Sequence, residues 1–477
     1  MRYATVALMP CFLLAACVEA PPAEPTQHKI AISDLGLDQS SETRPAPDWW
    51  KGFGDAELDH LMADAFAGNP SLAAALARMR SAAAGLAAER AATWPQIGLD
   101  ASEQRDVLSG HYLYPPPYAG STQWIGTVAG GLSWNIDLWG RQSAIVAAAG
   151  NTAKAAKFDA DAARLALAEA VSQTYIALTA AYRSCDVTGD VVTLRGHELK
   201  LAASRVQNGL DSLSALHSAE EALAAAKVAD STCRADRDRI VHTLAALTGR
   251  GAEAYNTIGR PSLDLARGAT VPQSLPADLI AQRPDVLAAA ARVEAAVQGR
   301  KVAYTAFFPN IDLLATAGWS ALGLSNILAS NSITYGGGPA IHLPLFDAGL
   351  LRAEYAGATA DLDAATAAYN GAVASAIRQA ADAGTEVKAL TGQLADQNAA
   401  VAAAEHKQVL AASRVRSGLS PESDNLAARS SLFAEKQKQI ALEAASASQR
   451  VALIVAVGGG LVPQSNTHPE PNKGRVP

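Results

Sequence analysis

Hydrophobic and polar positions along this chain follow two periods, and the order in which they alternate is run through twice. From Asn69, the segment NPSLAAALARMRSAAAGLAAERAATWPQIGLDAS opens with an alanine-rich run suited to a helix and stops before Pro95. It then alternates apolar and polar residues in QIGLDAS, as a half-buried strand does. From Arg283, RPDVLAAAARVEAAVQGRKVAYTAFFPNIDLLAT repeats that order without a gap at an offset of 214, so that Pro70 meets Pro284, Gly85 meets Gly299, Pro95 meets Pro309 and Leu99 meets Leu313. Pro70 and Pro284 stand where proline favours a helix start. A second alternating segment follows in each copy, near Trp124 to Leu138 and Tyr335 to Phe346, after the turn-rich loops DVLSGHYLYPPPYAGST and ALGLSNILASNS. Each copy therefore predicts two strands joined as a hairpin.

Beyond the strands the helical period returns. No proline occurs from Tyr118 to Arg260, and only Pro421 interrupts the stretch from Leu345 to Val462. Helices from Arg141 to Gln207 and from Leu350 to Arg416 would each extend roughly 100 Å at about 1.5 Å per residue. They end in LAASRVQNGL at 201–210 and LAASRVRSGL at 410–419, which agree at eight of ten positions across an offset of 209. Gly209 and Gly418 stand where a chain leaves a helix in the left-handed conformation, and a returning helix follows each, to Gly249 and Gly458. The pattern gives a first repeat at 48–260, a linker at 261–282 and a second repeat of the same order at 283–462.

Composition excludes several classes of function. Aromatics make up only 5% of the residues, fewer than a compact two-domain enzyme usually has, and the alanine bias suits long helices packed closely through small side chains. The net charge of −7 comes with basic residues spread along the chain, which leaves no footprint for nucleic acid. The histidines are scattered, with His197, His217, His242 and His406 on expected helices and no metal-ligand spacing. Nucleophile elbows and phosphate-binding glycine loops are missing, so no catalytic residue, metal or cofactor is expected. The run Gly336, Gly337, Gly338 lies in a strand region and reads as a barrel bend.

The N-terminus gives the address. MRYATVALMPCFLLAACVEA places Arg2 before an apolar stretch, Val6 to Ala16, that is too short to span a bilayer, with small residues before Cys17. Residues 1–16 read as a signal peptide. Leu14, Ala15, Ala16 and Cys17 are similar to a bacterial lipobox, whose cysteine becomes the lipidated first residue; an ordinary secretory signal with an incidental cysteine is the competing reading. Residues 17–47 are rich in Pro, Ser and acids and predict a flexible tether, and 463–477 predict a disordered tail. No later segment is apolar for long enough to cross a bilayer as a helix, so a membrane crossing requires a closed β-barrel. In the body of the chain Cys185 and Cys233 are centred on residue 209, which in an antiparallel hairpin sets them at nearly the same height. An oxidising compartment then predicts a disulfide, against two buried free thiols, and its Cα span of about 4.4–6.8 Å requires small residues where the helices cross.

These features together resemble the outer membrane factor family of TolC-like and OprM-like channels, in its lipoprotein branch. The residues that carry the resemblance are Trp49, Trp50, Phe53, Asp55 and Leu58 of DWWKGFGDAEL, Asn69 with Pro70, WNIDLWGR at 134–141, RPDV at 283–286, FFPNIDL at 307–313, PLFDAG at 344–349 and the closing VGGGL. The resemblance implies a mixed fold, long helices with a membrane β-barrel, in which a homotrimer pools its strands into one twelve-stranded barrel continued by a periplasmic helical barrel. It implies a passive exit duct of a tripartite multidrug efflux system. Such a duct sits in the outer membrane, anchored in its lipid through Cys17, with a periplasmic adaptor and an inner-membrane pump as partners. Elementary constraints agree: four strands leave edges that lipid does not tolerate, and twelve enclose an aqueous lumen where eight are filled by side chains. A protein-secretion exit channel and a periplasmic coiled-coil adaptor stand as alternatives. The resemblance places adaptor contacts at Asn208, Gly209 and Leu210 and at Ser417, Gly418 and Leu419, for which helix capping is the plain reading. It lines the closed aperture with Asp424, whose counterpart in the first copy is Ala215, and adds Asp211; for Asp424 a solvated helix position is the alternative.

Overall fold

The structure, a computed structural model, describes residues 23–31, 45–111, 114–266 and 277–460. Its elements follow the doubled order: α1 (Ala56–Gly68), α2 (Pro70–Ala91), β1 (Gln96–Val107), β2 (Thr122–Asn135), α3 (Arg141–Gln207), α4 (Leu213–Leu247), α5 (Ala277–Ala281), α6 (Pro284–Thr305), β3 (Asn310–Leu322), β4 (Ile333–His342), α7 (Leu350–Arg416) and α8 (Glu422–Ala456). The long helices α3 and α7 have 67 residues each and the returning helices α4 and α8 have 35 each. β2 and β4 stop short of the alternating pattern that suggests them. Asp137 and Asp347 turn the chain into the next helix before the pattern runs out.

The chain divides into two compact units, and both repeats contribute to each. One consists of Met1–Lys29, Arg78–Ala156 and Ala288–Tyr369 and holds the sheet. Its four strands are antiparallel and lie in sequence order, β1-β2-β3-β4. β2 and β3 come from different repeats yet pair directly, from Ile125 with Leu322 to Asn135 with Asp312. Among the described strands, β1 and β4 have one partner each, so the sheet has two open edges.

Within the expected flexible tether over 17–47, residues 23–29 of this unit are held by the second repeat. Thr26 N and Gln27 N donate to Asp363 Oδ1 at 2.9 and 3.0 Å, and Thr26 Oγ1 donates to Asp363 Oδ2 at 2.8 Å. Arg300 donates to the Ala23 carbonyl at 2.6 Å, and Lys29 pairs with Glu294 at 2.7 Å. Side chains of the second repeat thus satisfy the backbone of residues 23–27, and composition cannot show a pairing between positions 337 apart. The signal peptide 1–16, Cys17 and the tail 463–477 lie outside the described residues.

The other unit consists of Ile30–Ala77, Lys157–Leu287 and Asn370–Pro477. Trp49, Trp50 and Phe53 of a short 3-10 turn pack with Leu58 and Met62 of α1, Val171, Tyr175 and Ile176 of α3, Leu244 of α4 and Val451 of α8. The paired tryptophans are therefore core. Two motifs from different repeats do the same work here. Asn69 Nδ2 donates to the Leu247 carbonyl at the end of α4 (2.9 Å), and Arg283 Nη1 donates to the Ala456 carbonyl at the end of α8 (2.8 Å). Leu247 and Ala456 are equivalent at the offset of 209, and in each case a side chain satisfies a last-turn carbonyl that the helix leaves unpaired. Gly249 follows α4 with φ +71°, and a Cβ there would lie 2.0 Å from the Gly68 carbonyl oxygen. The ends of α1 and α4 thus meet backbone to backbone, which only glycine allows.

Candidate functional site

The register of the sheet sorts most of its residues by polarity, with Glu103 and Arg105 towards one end of the apolar face and Ile125, Leu314 and Leu322 on the polar one. Directly opposed residues share a face, so one face carries Ile97, Leu99 and Ala101 with their partners Leu132, Gly130 and Val128, and continues through Leu313, Trp319, Tyr335 and Ile341. The other carries Gln96, Asp100, Ser102 and Gln104 from β1, Thr127, Ser133 and Asn135 from β2, and Asn310, Asp312, Thr316 and Ser320 from β3. Ile97, Leu99, Tyr335 and Ile341 are between 68% and 85% exposed, a contiguous apolar surface that water does not favour. Trp124 and Trp134 stand on that face ten residues apart in β2. At about 3.3 Å per residue and a tilt of about 40°, they are roughly 25 Å apart along a membrane normal, the height of the apolar band of an outer-membrane barrel. Among the described residues no helix is long and apolar enough to cross a membrane.

At the polar face's end, Asn135 Nδ2 donates to Asn310 Oδ1 and Asp312 Oδ1, and Asn310 Nδ2 donates to Asp312 Oδ2. Two carboxylates then start the long helices. Asp137 accepts from the backbone N–H groups of Gln142 and Ser143 and from the Ser143 hydroxyl at 2.6–2.9 Å; Asp347 accepts from the N–H groups of Gly349 and Leu351 at 3.0 and 2.8 Å. Burial pushes the Asp137 pKa up, but the Ser143, Gln142 and Arg141 donors together outweigh it and hold it below the usual carboxylate range. The Leu351 and Gly349 N–H groups lower that of Asp347. Sequence reasoning singled out WNIDLWGR and PLFDAG without seeing why each contains an aspartate; helix-start spacing of Asp before the first turn is the signal that identifies it.

In the other unit the two turns have the same backbone. Gly209 and Gly418 take φ +69° and +71°, Gly209 N and Leu210 N donate to Val206 O and Arg205 O, and Gly418 N and Leu419 N donate to Val415 O and Arg414 O. Both glycines therefore cap their helices in the left-handed conformation. The leucines, however, do not fold back onto the helix: Leu210 is 69% and Leu419 72% exposed. Capping explains the glycines and leaves the leucines available.

Beyond the turns the copies diverge. Ser212 caps α4 by accepting from Ala215 N (3.3 Å), and Asp211 Oδ2 accepts from Arg205 Nε (3.2 Å). Pro421 stands one residue before α8 as its N-cap, and Asp424 is exposed in the first turn of α8 with Glu422. A carboxylate is favoured at that end by the helix dipole. Arg205 and Asp211 also line a groove of about 580 Å³ with Leu201, Ala202 and Ala219 on one side and Leu426 and Ala427 of α8 on the other. Opposite charges flanking the turn glycine in RVQNGLD are the sequence signal for the Arg205–Asp211 pair. Cys185 and Cys233 are joined, with Cα atoms 5.7 Å apart. Ala181 and Ala229, each four residues before its cysteine, share its helix face and are small enough for that approach. In the second repeat the positions equivalent to Cys185 and Cys233 are Leu394 and Leu442.

Comparison with known proteins agrees with the doubled order. The sequence pattern of the family described as outer membrane efflux protein matches residues 61–250 and 275–459, one match per repeat. The fusaric acid resistance protein FusA of Burkholderia cepacia is 34% identical over 357 residues, which is 73% of this chain and 67% of that protein. The multidrug resistance outer membrane protein MdtP of Shigella flexneri is 28% identical over 453 residues, 92% of this chain and 90% of its own. Among solved structures, the outer membrane protein VceC of Vibrio cholerae superposes with a TM-score of 0.79 at 30% identity, covering 87% of this chain and 99% of VceC.

Proposed function

Because the chain belongs to the outer membrane efflux protein family, whose members are outer-membrane exit channels, we propose that it acts as a homotrimer in series with a periplasmic adaptor and an inner-membrane pump. The observation that carries this reading is the sheet: one apolar face, one polar face and two open edges. Unpaired backbone groups are not tolerated in lipid, so β1 of one copy pairs with β4 of the next until the sheet closes. Three copies give twelve strands, a barrel with its apolar face in lipid and a wet lumen lined by Asp100, Thr127, Ser133 and Thr316. The long paired helices line a periplasmic tunnel.

The duct does no chemistry. The pump supplies the free energy and selects the substrate, and a wide polar lumen lets it through. The names of FusA and MdtP, which refer to fusaric acid and to multiple drugs, support small organic toxicants as the cargo. A lipid on Cys17 fastens the chain to the outer membrane; the hydrogen bonds that hold Ala23, Thr26 and Gln27 to the second repeat support an anchor tied close to the body of the chain. Leu210 and Leu419 contact the adaptor, with Asn208, Gly209, Ser417 and Gly418 letting it approach. Asp424 lines the aperture; Asp211, engaged with Arg205, is the lesser candidate. The test is accumulation of a fluorescent efflux substrate in cells stripped of other exit channels. Expression of the chain should restore efflux, and a variant lacking residues 96–135 should not. Unchanged accumulation with the intact trimer in the outer membrane would overturn the proposal.

A further inference from the structure

The two turns of one chain differ in charge, although they grow from the same decapeptide. Arg205 and Arg414 are equivalent at the offset of 209. At the first turn Arg205 is neutralised by Asp211, and both belong to the wall of the groove against α8. At the second turn Ser420 replaces Asp211, and although Glu422 and Asp424 stand in the first turn of α8, neither forms an ion pair with Arg414. Arg416 stands where the first turn has Gln207, and its Nε reaches only Ala412 O of its own helix, at 3.4 Å. Among the described residues neither Arg414 nor Arg416 forms an ion pair, and both are exposed on the last turn of α7. The apolar side chains differ as well. Leu210 and Leu213 are 69% and 63% exposed at the first turn, whereas the counterpart of Leu213 is Glu422. Glu422 is held by Asn425 Nδ2 at 2.8 Å, at a helix N-terminus that favours acids.

We propose that the two turns recognise the adaptor by different chemistry: the first by apolar contact through Leu210 and Leu213, the second by pairing Arg414 and Arg416 with carboxylates on a helical partner surface. This rests on the reading that the turns dock the adaptor. A cation at a helix C-terminus is favoured by the dipole, which accounts for one arginine at each turn. It does not account for a second, un-neutralised one beside a leucine that is 72% exposed. Guanidinium groups pair with carboxylates through two parallel hydrogen bonds, so the complementary partner carries Glu or Asp within about one helical turn of an apolar side chain. Such pairing fixes which partner and which register are accepted. In a trimer the turns then alternate between one with its arginine paired to Asp211 and exposed leucines, and one with two arginines in no ion pair.

The probe is a multimerised helical-hairpin peptide with leucine at its apex, made in two forms with either glutamates or lysines one turn away. Binding to the purified full-length trimer is measured across salt concentrations. The glutamate form should bind more tightly, and Arg414→Glu with Arg416→Glu should weaken it by about tenfold or more and abolish its salt dependence. The lysine form should regain affinity for that variant, and Arg205→Gln should change binding less than about twofold. Arg414→Gln with Arg416→Gln serves if charge reversal prevents assembly. Equal losses from Arg205 and Arg414, no rescue by the lysine form, or a rise in single-channel current with unchanged binding would overturn the inference; the last would mean that the arginines hold neighbouring copies together. Gly209→Trp and Gly418→Trp separate the two levels. If they abolish binding while the arginine variants do not, only the charge inference fails; if they too leave binding intact, the docking reading itself fails.

Discussion

Val128 and Ala129 are neighbours in β2 that face opposite ways, and arginine at each gives opposite outcomes if the sheet is a lipid-embedded wall. Val128 lies opposite Ala101 and Trp319 on the apolar face, and Ala129 lies opposite Asp100 and Gly318 on the polar one. Val128 is four residues from Trp124 and six from Trp134, so it sits roughly 10 Å inside one boundary of the apolar band and roughly 15 Å inside the other. A guanidinium at that depth costs about 2–4 kcal/mol per chain, and three chains share one barrel, so Val128→Arg should cost the trimer about 6–12 kcal/mol. Ala129→Arg enters a wet lumen beside Asp100 and should change stability by no more than about 0.5 kcal/mol per chain. The assay is urea-driven unfolding of the full chain in liposomes, with the heat-modifiable trimer band as the readout of assembly. Equal losses at the two positions, or the larger loss at Ala129, would refute the assignment of faces.

Other perturbations test other links. Asp137→Ala removes the cap of α3 and should cost about 0.5–2 kcal/mol in thermal unfolding near neutral pH. Because the folded pKa of Asp137 is depressed, its contribution is present above the unfolded carboxyl value of about 3.9 and is lost as pH falls through the folded value. The gap between wild type and variant should therefore close on acidification, and a gap that widens would contradict the capping role. Ala348 takes φ 53° between Asp347 and Gly349, so Ala348→Gly should stabilise by about 1 kcal/mol, whereas Gly249→Ala, against the Gly68 carbonyl, should destabilise by about 3 kcal/mol or more; calorimetry decides. Reducing the Cys185–Cys233 bridge, which closes a separation of 48 residues, should lower stability by about 4 kcal/mol, and two free thiols in the untreated protein would remove that prediction. Asp424→Asn should weaken cation preference in single-channel recordings, and an unchanged preference would remove Asp424 from the aperture.

Much of the fold is legible because its determinants are local and repeated. The long helices run from Arg141 and Leu350 to Gln207 and Arg416 since no proline or cap intervenes, and Gly209 and Gly418 end them by a backbone conformation that glycine alone adopts freely. Period-two alternation finds all four strands but overruns the ends of β2 and β4, because alternation cannot register the aspartate that begins the next helix. What stays hidden depends on distant partners. Proline-rich composition reads residues 17–47 as slack, yet Asp363 and Arg300, hundreds of positions away, hold residues 23–27. The divergence of the turns has the same origin: LAASRVQNGL and LAASRVRSGL look interchangeable until Asp211 and Ser420, just outside them, decide whether the shared arginine is neutralised.

Closure of the barrel by three copies is tested most directly by native mass spectrometry of the chain extracted from outer membranes in mild detergent. The expected result is a single assembly of three chains, each heavier than the polypeptide from Cys17 onward by its lipid. A predominant monomer, dimer or tetramer released under the same conditions would contradict it, since the four strands of each chain would then have to close with a different count.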